Sequence, residues 1–406
     1  MLKFIKSAYL YVWFIVVVAL LMMCLMWSVY LVDVGKIRSS LLNSPDIFHY
    51  FTDYLIFHEA IFWGQDALQD ALLVPRAEFV EDRVESLYIS LHRIGANGAK
   101  IFFYPRFWHG YLLFWKPVLS FLEIKEACMI YKLFQIGMLC FILYLLYRRL
   151  GFKHCVAFLT ALYFISPVQL WGWLHFDMVN VMLIATLWVL LNKDSDDNYI
   201  FFVVGSATIL FDFLTYPLIT LGIPLIVYVC LYERGFKDDV KCVIKNSFLW
   251  LCGYAGMWFS KWVLATLLTD ENVLKDGWER VLHRTYDATE NGRVLPDATI
   301  LHSILANVEV IWNKYTLYVL GAVLILVLIS YVCSSYILKV QYKFRVNSKA
   351  LVLLGVSLMP FVWYSVLVQH SIVHFWVFSH RLLAITIYSV LSAIVCCLEP
   401  IKVSKK

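Results

Sequence analysis

The sequence predicts an all-α, polytopic membrane protein with about ten transmembrane helices, and three observations support this fold class. Hydrophobic residues make up 62% of the 406 residues and charged residues only 16%, against roughly half and a quarter in soluble domains. Apolar runs long enough to cross about 30 Å of hydrocarbon recur along the whole chain. Lysine and arginine collect in clusters between these runs, as in the cytoplasmic loops of membrane proteins. Residues 1–406 therefore form a single transmembrane domain.

The first apolar run extends over about residues 9–32 and follows Lys3 and Lys6. It is too long for the core of a signal peptide and has no small-residue cleavage site, so we expect a first transmembrane helix. The polar stretch 43–116 that follows is then the first extracytoplasmic loop.

The remaining spans are expected near 127–147, 155–167, 174–191, 247–268, 316–338, 350–368 and 382–398, with a further pair that meets at 214–217. The basic clusters between them are Arg148, Arg149 and Lys153; Arg234, Lys237, Lys241 and Lys245; Lys339, Lys343, Arg345 and Lys349; and Lys402, Lys405 and Lys406. Because such clusters stay inside, both termini are expected in the cytoplasm of a cell with the chain in its inner or plasma membrane. Residues 270–314 become the second extracytoplasmic loop.

The first loop contains a stretch with the spacing of an amphipathic helix. Val80, Val84, Leu87, Tyr88 and Leu91 recur at helical intervals, and charged residues occupy the other side. We expect this helix to lie on the outer leaflet, where it anchors the loop or contacts substrate.

The same loop opens with the strongest catalytic candidate. Ser44 followed by Pro45 predicts a helix start, which places His49 and Asp53 one turn apart on one face. Asp53 lies among aromatic residues, whose partial exclusion of water raises the basicity of a carboxylate and suits it to proton abstraction. Asp46 falls in the first helical turn, where a carboxylate is favoured by the helix dipole, so a helix-start role and a catalytic role both remain open.

Ionisable residues gather on the predicted outer side of the membrane. They are Asp46, Asp53, His58, Glu59, Arg106, His109, His175, Asp177, Asp212, Lys261, His374, His380 and Arg381. Ionisable groups at membrane depth are costly, so they usually face an interior cavity and mark a substrate path. Their mixture of bases and cations predicts an anionic ligand beside an acid-base site.

Several of these residues also have a purely structural interpretation. Lys261 either extends to the interface or, beside Trp258 and Trp262, holds a phosphate. Asp177 and Asp212 either belong to the site or pair with a cation and cap a helix. The cysteines show no metal-ligand spacing and no disulfide pattern, so we expect packing roles, no metal and no cofactor.

The order of these features resembles the GT-C superfamily of integral membrane glycosyltransferases. A first transmembrane helix, a large outer loop that opens with an acidic helix, and a polar outer cavity all occur in that superfamily. The segments 51–53, 104–110, 211–217 and 379–381 are similar to those of bacterial multi-pass proteins of the same group. The resemblance implies a sugar donor attached through phosphate or diphosphate to a polyprenyl lipid, and a general base at Asp53 or Asp46.

The resemblance also implies how the other candidates act. Lys261, Arg381 and Arg106, with His109 or His374, would clamp the departing phosphate, since cations bind phosphate oxygens by charge-assisted hydrogen bonds. His380, Asp177 and Asp212 would complete the substrate site. The acceptor would be a cell-surface glycan or lipid, and nucleic acid is not expected as a partner.

Two other functions fit part of the pattern. A transporter or flippase of lipid-linked sugars would also need a basic cavity, but it should show paired, broken helices in two related halves. An O-antigen ligase or polymerase would have its dominant outer loop late in the chain, whereas the larger loop here comes first. Glycosyl transfer is therefore the function that the sequence favours.

Overall fold

The computed structural model describes residues 2–43, 53–62, 64, 66–93, 97–165, 177–193, 198–286, 289–290, 293–294, 299–312, 315–319, 321–322, 325, 329, 332 and 340–402. Asp46, His49 and His175 lie outside these residues, as does the helix start expected at Ser44 and Pro45. Most of the span expected near 316–338 lies outside them too.

The described part of the chain is predominantly helical. In chain order the helices are α1 (Leu2–Tyr30), α2 (Val34–Leu42), α3 (Asp53–Ile61), α4 (Ala67–Leu73), α5 (Arg83–His92), α6 (Leu112–Leu119), α7 (Ile124–Leu150), α8 (Phe152–Ile165), α9 (Met178–Asn192), α10 (Tyr199–Phe211), α11 (Ile219–Leu231), α12 (Phe236–Leu268), α13 (Val273–Tyr286), α14 (Ile300–Ile311), α15 (Ser348–Val356), α16 (Met359–Val366), α17 (Val368–Val373) and α18 (Leu383–Cys397), with a 3₁₀ turn at Ser379–Leu382 before α18.

Among the described residues, four segments are long and apolar enough to cross a membrane: Ala8–Tyr30, Ile124–Leu150, Ser348–Val366 and Ser379–Cys397. Five shorter apolar helices of 10–17 residues accompany them. These lengths and compositions are those of an all-α membrane protein, as the sequence predicts. The number of about ten spans and their orientation remain predictions.

The span expected at 350–368 is interrupted. It consists of α15 and α16, which are separated by a turn at Ser357 and Leu358. Pro360 lies in the first turn of α16, where its missing N–H costs no helical hydrogen bond. Periodicity alone does not show such a break, because both halves are apolar.

In the part of the chain that the structure describes, three small antiparallel strand pairs accompany the helices, and the sequence does not predict them. Strands β1 (Pro75–Glu78) and β2 (Lys100–Phe103) pair within the first loop, with Pro75 opposite Phe103. The other pairs join β3 (Thr289–Glu290) to β4 (Arg293–Val294), and β5 (Val340–Phe344) to β6 (Leu398–Lys402).

The amphipathic helix expected around 80–91 is present as α5. Asp82 caps it by accepting a hydrogen bond from the Glu85 amide at 2.8 Å. Leu87 and Leu91 are buried in the same core as α3, whereas Tyr88 is exposed. Its apolar residues therefore serve both internal packing and the surface.

Helices α10 and α12 cross with their backbones in direct contact. A Cβ atom added to Gly205 would lie 2.0 Å from the carbonyl oxygen of Trp250, and one added to Gly253 would lie 2.1 Å from that of Phe202. Small residues permit this approach, which is a common way of packing helices in membranes. The two glycines therefore set the position of α12, the longest helix.

We expect Gly253→Ala to lower the free energy of unfolding by about 1 to 3 kcal/mol, the usual range for overpacking a close contact. The measurement is the Tm of the detergent-solubilised protein. Gly137→Ala in α7 is the matched control, because no described atom lies within 4 Å of a Cβ added there. Equal Tm values for Gly253→Ala and the unchanged protein would contradict the close crossing.

Candidate functional site

A cavity of about 1320 Å³ lies where the first loop, the 213–218 turn, α12, α13 and the 355–378 region meet. Part of its lining is basic. Arg76, Arg83, Arg106, Arg280 and Arg284 line it together with His370 and His374, and the described lining residues include no aspartate or glutamate, although Arg76 pairs with Glu78 and Arg106 with Asp276. These arginines can accommodate an anion, since guanidinium groups match phosphate oxygens in charge and geometry.

Other residues that line the cavity are apolar or aromatic. Trp250, Leu251, Tyr254, Ala255 and Trp258 of α12 contribute to it from one helical face. Leu358, Met359, Val362, Trp363 and Val366 around α16 also line it. Leu251, Leu358 and Val362 are exposed. The lining of the cavity therefore combines basic residues with a large apolar surface.

Arg106 is held at the cavity by interactions of its backbone and its side chain. Trp258 and Trp262 donate from their indole nitrogens to the Arg106 carbonyl at 2.7 and 3.0 Å. The guanidinium pairs with Asp276 at 2.9 Å and stacks on the ring of Tyr104 at 4.8 Å. The predicted position of Arg106 at the site is therefore consistent with the cavity geometry.

His374 also lines the cavity and contacts Arg284. The Arg284 Nη1 atom lies 3.2 Å from His374 Nε2 and 3.2 Å from the amide oxygen of Gln369. Because guanidinium can only donate, Nε2 is the acceptor and the imidazole is neutral. Burial and the neighbouring Arg284 charge lower the pKa of His374 to about 3. His374 therefore orients Arg284 and adds no charge of its own.

Behind the wall of the cavity lies a fully buried polar network. Tyr111 donates to Glu59 Oε2 at 2.6 Å, and His109 Nδ1 lies 3.2 Å from the same oxygen. The other ring nitrogen of His109 donates to the Tyr104 carbonyl at 3.0 Å. Burial alone raises the pKa of Glu59, but the charge and hydrogen bond of His109, with the Tyr111 hydroxyl, leave it lowered. The network fixes the backbone of Tyr104, whose ring faces the cavity.

Two of the predicted phosphate ligands have other partners. Lys261 is fully buried, donates to the Ala71 carbonyl at 3.1 Å and lies 5.3 Å from the centre of the Trp108 ring. Arg381 is buried and donates to the carbonyls of Val377, at 3.1 Å, and Ile165. Neither side chain lines the cavity. In this structure both cations hold segments together, and their role in a phosphate clamp remains a prediction.

The remaining predicted residues also form local contacts. Asp177 accepts from Asn180 at 2.7 Å and from Gln135, and Asp212 accepts from the amides of Leu214 and Thr215 at 3.0 and 3.1 Å. Asp212 thereby shapes the turn in which Leu214, with φ of 68°, faces the cavity. Asp212 follows the last residue of α10, so its side chain stabilises the turn between α10 and α11 and does not cap the start of a helix.

Two further histidines contact the backbone. His380 Nδ1 lies 2.6 Å from the Phe375 carbonyl oxygen, and His58 Nε2 lies 3.2 Å from that of Arg83. Both are buried, and neither lines the cavity.

Asp53 begins α3, and its side chain lies outside the described part of the structure. Leu55, two residues further, lines the cavity. The start of α3 is therefore near the cavity, while the role of Asp53 remains a prediction. Asp46 cannot be compared with it, because residues 44–52 are not described.

Sequence reasoning missed four of the arginines that line the cavity. Arg280 and Arg284 are four residues apart, so they share one face of α13. This spacing could have indicated a basic helical face in the second loop. Arg76 and Arg83 gave no such signal, because the β1–β2 pair and the start of α5 bring them to the cavity.

Comparison with protein-family models, with curated proteins and with solved structures found no match. The functional assignment therefore rests on the residues and geometry of this chain.

We expect Glu59→Gln to lower the free energy of unfolding at pH 7 by about 1 to 3 kcal/mol, because it breaks a buried charged hydrogen-bond network. A carboxyl whose pKa is lower in the folded chain stabilises the fold above its unfolded value, near 4.5, and loses this contribution as the pH falls through the folded value. The difference from the unchanged protein should therefore shrink below about pH 4. Thermal unfolding in detergent between pH 3 and 7 measures it.

Glu81→Gln, at an exposed position, is the control and should unfold like the unchanged protein throughout. A Glu59→Gln difference that is independent of pH would contradict the ionised network.

Proposed function

We propose that this protein is a membrane glycosyltransferase that moves a sugar from a polyprenyl-phosphate-linked donor to a glycan or lipid acceptor at the cell surface. The reaction takes place on the extracytoplasmic side and inverts the configuration of the sugar, with an aspartate as general base. This function is the one implied by the resemblance to GT-C enzymes.

The observation that carries the proposal is the composition of the cavity. Five arginines line it, two of them paired with Glu78 and Asp276, and its apolar lining comes from α12 and from the apolar segment Ser348–Val366, which is long enough to cross a membrane. A lipid phosphate has the same two parts, an anion and a long hydrocarbon tail. An arginine group stabilises the charge that develops on a departing phosphate, which supports transfer as well as binding.

The residues take distinct roles in this proposal. Arg106, Arg280 and Arg284 bind the phosphate, and the apolar face of α12 with Trp363 contacts the tail. Asp53, at the start of α3, removes the proton of the acceptor hydroxyl. Asp276 holds the Arg106 guanidinium in place at 2.9 Å.

We expect Arg280→Gln to weaken the binding of a polyprenyl monophosphate by on the order of tenfold, since it removes one charge-assisted contact to phosphate. Tryptophan fluorescence is the measurement, because Trp250 and Trp258 line the cavity. Arg345→Gln, outside the cavity, is the matched control and should bind normally. Lys261→Met should lower the Tm but leave the affinity of the folded fraction unchanged.

Polyprenol of the same length, which lacks the phosphate, should bind the unchanged protein and Arg280→Gln equally. If Arg280→Gln binds the phosphate as tightly as the unchanged protein does, the proposed anion site is wrong.

We expect Asp53→Asn to slow sugar transfer by about two to four orders of magnitude, because an amide cannot take up the proton of the hydroxyl that attacks the sugar. Donor binding and expression should be retained. The measurement is transfer of radiolabelled sugar from polyprenyl-phosphate donors in membranes, and Asp46→Asn is the matched comparison.

Normal transfer by both variants would place the base elsewhere. Donor binding and movement across the bilayer without any sugar transfer would instead favour a flippase.

A further inference from the structure

We propose that His154, Cys230 and Cys396 form a zinc-binding site at the end of the helix bundle opposite the cavity. His154 is the third residue of α8, while Cys230 and Cys396 are the next-to-last residues of α11 and α18. The opposite ends of α11 and α18 lead to the cavity, since Leu218 and Phe378 line it. The proposal is independent of the function proposed above.

The three side chains have the spacing that one ion requires. Their ligand atoms, one ring nitrogen and two sulfurs, all lie within 4.8 Å of one another. Zinc binds sulfur at about 2.3 Å and histidine nitrogen at about 2.0 Å, so ligands on one tetrahedral ion are roughly 3.5 to 4 Å apart. A small inward movement of the side chains is enough to close the site.

The histidine provides a second, independent observation. His154 is only 6% exposed, and its Nδ1 atom has no hydrogen-bond partner among the described residues. The ring also forms a hydrogen bond with the Cys396 side chain. Buried polar atoms normally have partners, so a buried imidazole nitrogen without one needs an explanation. A metal ion bound by the imidazole would be this explanation, with the ring either in its present orientation or rotated.

The set of ligands selects the metal. One imidazole and two thiolates are the mixed nitrogen and sulfur ligands that zinc prefers, whereas magnesium and calcium take oxygen. Zinc binding would release one proton from each thiol to solvent, which leaves an ion with two thiolates and no net charge. Water would complete the fourth position.

The site would join three helices that are distant in the sequence. α8 and α11 both pack against α18, so an ion at these helix ends would hold the three helices together. The charge rule predicts that this end of the bundle faces the cytoplasm. Thiols remain reduced in that compartment, which keeps both sulfurs available to the metal.

The test begins with the unchanged full-length protein, purified under reducing conditions without chelators. Elemental analysis should find about one zinc per chain. After the zinc is removed, titration with cobalt should give intense sulfur-to-cobalt charge-transfer absorption in the near ultraviolet, and re-addition of zinc should raise the Tm. These readouts require neither a variant nor enzymatic activity.

Cys230→Ser, Cys396→Ser and His154→Gln should each lose the bound zinc, and the cysteine variants should also weaken the cobalt absorption. Cys155→Ser is the matched control, because this buried cysteine adjoins His154 but donates to the Leu143 carbonyl at 3.4 Å. It should retain the metal. An unchanged protein that binds neither zinc nor cobalt would overturn the proposal, as would a Cys230–Cys396 disulfide found by mass spectrometry in that preparation.

Discussion

Four hydrogen bonds join α12 to the first loop, residues 43–116, and the shape of the cavity depends on them. Trp108 donates to the Met257 carbonyl, Trp258 and Trp262 donate to that of Arg106, and Lys261 donates to that of Ala71. Each acceptor is a backbone carbonyl, so each bond specifies one position of the loop relative to α12. Loss of such a bond in a water-poor interior leaves a polar group without a partner, which is costly. The glycine contact between α10 and α12 also positions the helix. The loop and α12 therefore form one wall of the cavity together.

The positions of the long helices could be predicted because apolar length is a local property of the sequence. α1, α7 and α18 lie close to the expected spans. The break between α15 and α16 and the pairing of β1 with β2 could not be predicted in the same way. The break depends on two residues in a continuous apolar run, and the strands are four residues each with an intervening helix, so their pairing is decided by tertiary packing.

The candidate site was predictable in part for a related reason. Periodicity and charge indicate how deep a residue lies in the membrane, but they do not show which neighbour its side chain reaches. Arg106 and His374 line the cavity, whereas Lys261 and Arg381 donate to backbone carbonyls. The sequence does not indicate the cluster of His154, Cys230 and Cys396 either, because its members are far apart along the chain and meet only when three helices pack.

The exposed apolar residues around the cavity have a consequence for how a ligand reaches it. Leu251, Leu358 and Val362 line the cavity and are themselves exposed, and Leu358 and Val362 belong to the apolar segment Ser348–Val366, which is long enough to cross a membrane. The lipid donor that we propose would therefore arrive by diffusion in the plane of the bilayer. Its occupancy then depends on its mole fraction in the lipid, and two preparations with equal ligand per volume of water but different amounts of lipid will differ in saturation.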